Sequence, residues 1–202
     1  MDLHDDFFII ESLGSKDLND GEVFYNSIKS ISGFNPIYIT VSNFVELKNA
    51  LLNFEKSNFI NLFISAHGDE ENLVLNNEKV NTYDLYDIQL VLNNRRIFMS
   101  SCKGGSYLFA KYFIKKGAYS VIGTPNDLEQ FVAIAMWPTF LVLIDRMNDF
   151  VLNFKELDKS LKIIVSTYKI TMHYYSFIRG KNKMKEYVYI PNKPRKRNNY
   201  NL

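Results

Sequence analysis

A single cysteine, Cys102, stands in a chain of 202 residues. That excludes an internal disulfide, and it excludes a zinc cluster built on several thiolates. Prolines number five and glycines nine, and no low-complexity tract or internal repeat interrupts the chain, so the composition is that of a folded globular protein. Long apolar runs are also missing. The most apolar segment, 131–144, has 14 residues and contains Pro138. A bilayer span needs about 20 residues, so this segment reads as a core helix. The start, "MDLHDDFFIIES", is acidic with too short an apolar stretch for a signal peptide. These absences predict a cytoplasmic protein with no membrane partner and no cofactor. No Gly-rich nucleotide motif is present, and no set of residues has metal-ligand spacing.

Charge is the next scarce quantity, at +2 overall, and it is unevenly spread. From Arg179 to the C-terminus there are eight Lys/Arg and one acid, a local charge of +7 that leaves −5 for the rest. The length fits one domain, taken as 1–190, followed by a basic flexible tail over 191–202.

What is present is an alternation of strand and helix. Apolar or β-branched runs at 7–11, 37–41, 60–66, 97–101 and 118–123 read as strands. Helical spacing or capping predicts helices at 21–31, 44–54, 82–92, 106–116, 127–147 and 154–177. "NLVLNNEKVN" reads as a hairpin with Asn76-Asn77 at its turn, and "EYVYI" (186–190) as a last, antiparallel edge strand. The strands are near-continuous apolar runs, which predicts an α/β fold: a mostly parallel sheet covered by helices on both faces. Ligands in such sheets bind at the carboxyl ends of strands.

Two strands end in chemically useful residues. "LFISAHGD" stops at His67-Gly68, and "RIFMSSCKGG" at Cys102 followed by Lys103, Gly104 and Gly105. If the two strands are neighbours, both side chains face one cleft about 5 Å apart, the inter-strand spacing. A thiol attacks as thiolate and gains from a base that takes its proton, a role that suits histidine. The amides of Gly68 and Cys102 are candidates for an oxyanion hole. A lone cysteine is more often a small core residue, and a lone histidine at a strand end is more often structural. The joint pattern is what favours function.

These blocks resemble the signatures of caspase-like cysteine peptidases, in particular the bacterial CHAT-type branch. "ISAHGD" carries the histidine block and "FMSSCKGG" the cysteine block, with weaker likeness at "IIESLGSKDLNDGEVFYNSI" and "KKGAYSVIGTPNDLEQFVAIAMWPTFL". The "QACRG" block of caspases is absent, and the spacing between His67 and Cys102 is compact for the group. The resemblance implies a three-layer α/β/α sandwich. It implies a cysteine endopeptidase in which His67 is the general base, Cys102 the nucleophile and a thioester the intermediate. It further implies a protein or peptide substrate, an activating or regulatory protein partner, and a setting in bacterial defence or regulated death.

Specificity residues are sought at neighbouring strand ends. Asp127 and Glu129 are candidates to receive a basic side chain, Lys16 an acidic one, and Ser65 lies on the histidine strand. Two other classes of function stay open. One is a gated or inactive caspase-like binding module. The other is a nucleic-acid contact through the basic C-terminus, with Tyr200 as a stacker.

Overall fold

The computed structural model describes residues 4–31, 34–76, 78–145 and 154–202. In chain order the elements are β1 (His4–Ser12), α1 (Asp20–Lys29), β2 (Ile37–Thr40), α2 (Phe44–Lys56), β3 (Phe59–Gly68), β4 (Asn72–Leu75) and β5 (Glu78–Asn81). They continue as α3 (Thr82–Tyr86), β6 (Arg96–Ser100), α4 (Tyr107–Lys115), β7 (Ser120–Gly123), α5 (Gln130–Asp145) and α6 (Phe154–Tyr168). Three strands close the chain: β8 (Met172–Ile178), β9 (Lys183–Tyr189) and β10 (Lys196–Asn201). The main sheet runs β10-β9-β8-β7-β6-β3-β1-β2, with the β4–β5 hairpin hanging from β3.

Alternation along each strand divides the interior in two. Phe8 and Ile10 of β1, Leu62 and Ile64 of β3, and Ile97 and Met99 of β6 point to one face, against α2 and α4. Phe7, Ile9, Phe63 and Phe98 point to the other, against α1, α5 and α6. A period of two with both faces apolar is what a sheet buried between helices requires. The second face is an aromatic stack: Phe24 lies 4.4 Å from Phe63, and Trp137 meets Phe63 edge-on at 5.2 Å. The layers make an α/β/α sandwich, with β2, β1, β3, β6 and β7 parallel.

Three expectations need correction. The last helix does not run to 177. It ends at Tyr168, Lys169 takes a left-handed φ of 57°, and the chain re-enters the sheet as β8. "TMHYYSFI" alternates aromatic side chains between the two cores, a pattern that suits a strand. The helix expected over 82–92 keeps only Thr82–Tyr86, started by an Asn81 and Asp84 capping box. The third concerns 191–202, expected as a flexible tail. Residues Lys196–Asn201 form β10, antiparallel to β9, so β9 is not the sheet edge. "KRNNYN" has little apolar character to announce a strand. What holds it is a carboxylate in β9: Glu186, 4% exposed, receives Asn198 Nδ2 at 2.6 Å and Tyr200 OH at 2.8 Å. Tyr200 also packs on Tyr107 at 5.0 Å, and Arg195 pairs with Asp158 beneath the rings of Phe154 and Tyr187.

The hairpin expected at 72–81 forms as β4–β5, with Asn76 in the left-handed region; Asn77 lies outside the described residues, as do 146 and 147 of the expected fifth helix. Among the described residues no helix is long and apolar enough to cross a membrane.

Candidate active site

The histidine and cysteine strands are neighbours. β3 and β6 pair in parallel from Asn61↔Arg96 to Ser65↔Ser100. His67 therefore rises two residues past the last pair on one strand, and Cys102 two residues past it on the other. Both line a cavity of about 30 Å³, shared with Leu13, Asp20, Leu128 and Gln130.

His67 is half exposed, and its Nε2 lies 3.0 Å from Asp17 Oδ2. Asp17 comes from the loop after β1. It also accepts the Gly14 amide at 2.7 Å and Gln130 Nε2 at 3.1 Å. The His67 hydrogen bond, followed by those of Gly14 and Gln130, outweighs a small burial cost and holds Asp17 below the ordinary carboxylate range. A carboxylate fixed on Nε2 orients the ring and leaves Nδ1 as the nitrogen free to exchange a proton.

Cys102 Sγ accepts the Leu128 amide at 3.3 Å, and Leu128 O lies 3.8 Å from it. The thiol is thus held by the loop that follows β7 and is only part exposed. In the turn after it, the amides of Lys103, Gly104 and Gly105 go to Asn126 O, Ser101 O and Thr124 O. The Cys102 amide makes no such bond among the described residues. It is therefore the donor this turn leaves for a ligand.

The two glycines serve packing rather than flexibility. A Cβ on Gly105 would sit 2.4 Å from Gly123 O, and one on Gly104 would sit 2.9 Å from Met99 Cβ. The turn after Cys102 presses backbone to backbone on the end of β7, where only glycine fits. Gly68 is equally confined: a Cβ there would meet Asn72 O at 2.9 Å and Cys102 O at 3.4 Å. Ser106 caps α4 and donates to Glu70 O at 2.9 Å, which ties the turn to the loop after His67.

Beneath the pair lies a carboxylate that sequence reasoning missed. Asp20, the first residue of α1, is 5% exposed and reaches between the two strand ends. Ser65 Oγ donates to it at 2.6 Å, Ser100 Oγ donates to its other oxygen, and Trp137 Nε1 donates to Ser100 at 2.8 Å. Burial outweighs these hydrogen bonds and pushes the Asp20 carboxyl up to about 6. A second carboxylate, Glu11, lies beside it and takes the Gly21 amide at 2.7 Å.

The other named candidates sit elsewhere. Asp127 and Glu129 are exposed on the loop after β7, and neither lines the cavity. Lys16 is exposed while its neighbour Asp17 turns inward. Ser65 is fully buried and touches the cavity only through Asp20. Asp69 is used by its own turn, accepting the amides of Glu71 and Asn72. Asp17 and Asp20 stand in "GSKDLNDG" directly after β1. The strand-end rule that singled out Lys16 reaches both of them.

Compared with known proteins, the fold resembles gingipain R (RGPB), an Arg-specific cysteine proteinase whose crystal structure matches with a TM-score of 0.58 at 12% identity. The match takes in 96% of this chain and 66% of the gingipain chain. That likeness shows the caspase-like fold. No family profile and no curated protein matches the chain.

Proposed function

We propose that the protein is a cysteine endopeptidase that cuts after a basic residue. One observation carries this reading. A candidate nucleophile and a carboxylate-oriented histidine line the same small cavity, and a buried carboxylate, Asp20, lines it as well. In the reaction, Cys102 Sγ attacks the substrate carbonyl carbon while its proton passes to His67 Nδ1. The oxyanion is met by the Cys102 amide, joined by that of Gly68. His67 then returns the proton to the leaving amine as the peptide bond breaks, which leaves a thioester. Water deprotonated by His67 hydrolyses the thioester and restores the thiol. A lysine or arginine entering the cavity loses water and meets the Asp20 carboxylate, the charged form that prevails above about 6. The Arg specificity named for gingipain R agrees with an acid in this place.

The resting site is closed. About 30 Å³ has room for one water and not for a lysine side chain, and Leu128 N–H occupies the thiol. Substrate entry therefore requires the 124–129 loop to withdraw. This favours a gated enzyme, and the activating protein partner expected from the sequence suits that role. On the "ISAHGD" and "FMSSCKGG" blocks we place it in the CHAT-type branch, acting on a dedicated protein substrate in a bacterial defence or regulated-death system.

The test is a mixed peptide library incubated with the protein and read by mass spectrometry. The expected cuts follow Arg or Lys. Cuts confined to positions after acidic or apolar residues would overturn the specificity. Cuts that persist in Cys102→Ala would overturn the enzyme class.

A further inference from the structure

Glu186 lies far from the mechanism above, yet it connects to it. Its Oε2 receives Asn198 and Tyr200 from β10. Its Oε1 faces His173 Nδ1 at 3.0 Å and Tyr175 OH at 2.7 Å, both from β8. Burial alone raises a carboxyl. Here the four hydrogen bonds, from His173, Asn198, Tyr175 and Tyr200, outweigh it and hold Glu186 down at about 2. The group is therefore charged and fully engaged inside the sheet face.

Tyr175 is 1% exposed, and its hydroxyl has a second acceptor: Gly105 O, at 3.2 Å. Gly105 is three residues after Cys102. A phenol has one proton for two acceptors. Glu186 Oε1 at 2.7 Å takes the larger share and Gly105 O at 3.2 Å the smaller, as one bifurcated bond. His173 Nδ1 also faces that Glu186 oxygen, at 3.0 Å, and so helps to fix the carboxylate and the hydroxyl it holds. The turn has no slack to absorb a change there. Gly105 N is bonded to Thr124 O at 2.7 Å, Lys103 N to Asn126 O at 2.9 Å, and a Cβ at Gly104 or Gly105 would clash.

We propose that Tyr175 is a positioning residue for Cys102: Glu186, braced by β10, holds Tyr175, and Tyr175 holds the Gly105 carbonyl, so the last strand of the sheet sets the nucleophile turn. The proposal rests on Cys102 being the nucleophile. A buried charge is weak evidence of stabilisation, since an apolar replacement of the same shape often folds as well. Its value here is geometric. β10 is mostly exposed and polar, and this carboxylate joins it to the turn that bears the thiol.

Tyr175→Phe removes one oxygen and leaves the ring. Tyr174→Phe is the control, because Tyr174 is buried in the same strand but faces the opposite core. Two readouts are needed. The first is the rate of alkylation by iodoacetamide, which reports Cys102 alone because the chain has no other cysteine. The second is the split between kcat and KM on the best peptide from the library. With the turn loosened, Sγ leaves the Leu128 amide. The expected result is alkylation faster by about fivefold and kcat lower by about tenfold at unchanged KM, the scale of a misplacement under 1 Å. Tyr200→Phe, which removes one Glu186 donor at a less buried site, is expected to move both in the same direction by about twofold. Tyr175→Phe matching the Tyr174→Phe control in both readouts would overturn the proposal, and Tyr200→Phe matching it would remove β10 from the chain of contacts. If no form cleaves peptide, the alkylation rates still decide it, and the failure falls on the peptidase reading instead.

Discussion

Cys102→Ala is expected to abolish peptide cleavage, a fall of about 10⁴-fold or more, with the fold intact. The side chain lost is small and part exposed, and its hydrogen bonds are one amide and one long contact to Leu128, so little stability depends on it. In the proposed mechanism the chemistry depends on it entirely, because no other thiol exists in the chain. His67→Ala is expected to fall almost as far. In the proposed mechanism the two groups act as one unit: an uncharged thiol attacks slowly, and a base with no nucleophile does nothing. The double variant should therefore be no worse than Cys102→Ala alone, the non-additivity seen when one mechanism is removed twice. Steady-state assays on the preferred peptide, with far-UV circular dichroism as the folding control, check this. Additive losses would mean that His67 and Cys102 work independently. That outcome would overturn the pair as a single catalytic unit.

How much of this was legible beforehand follows the range of the forces involved. β1, β3 and β6 were readable because a doubly buried strand must be apolar at nearly every position, and that is written locally. His67 and Cys102 were readable because each interrupts such a run at its carboxyl end. The 154–177 segment misled because "KIIVSTYKITMHYYSFI" is apolar enough for either element. The choice at Lys169 was made by the empty sheet position beside β7, which β8 fills antiparallel. β10 was invisible for the opposite reason: its order comes from Glu186, twelve residues away and in another strand. Asp20 hid among the loop charges of "KDLND". Its special character arises only when α1 places its first residue under the ends of β3 and β6, where Ser65 and Ser100 close around it. Propensity reads neighbours in sequence, and this site is made by neighbours in space.

Asp20→Asn is the substitution through which that spatial neighbourhood becomes measurable. The amide keeps the shape and can still bond both serines, but it offers no charge to a basic side chain. Losing one partner of a buried charge pair costs about 2–5 kcal/mol, so kcat/KM for peptides cut after Arg or Lys is expected to fall by about 10²–10³-fold. Peptides with a neutral residue there should be cut as before. The free protein supplies an independent check. In the folded state the Asp20 carboxyl is raised to about 6 from an ordinary 3.8, so between those values the native state holds a proton that the unfolded chain has released. Stability contributed by this group is present below the lower value and is lost as pH rises through the upper one, by about 3 kcal/mol in all. Glu186 acts with the opposite sign, its contribution being lost only as pH falls from 4.5 toward about 2. Urea midpoints between pH 5 and 7.5 therefore isolate Asp20: wild type should weaken across that range relative to Asp20→Asn. An Asp20→Asn protein that kept its preference for Arg and Lys would remove Asp20 from the specificity site. Parallel urea curves would show that the fold does not raise the Asp20 carboxyl, and that its burial between Ser65 and Ser100 costs the charged form nothing.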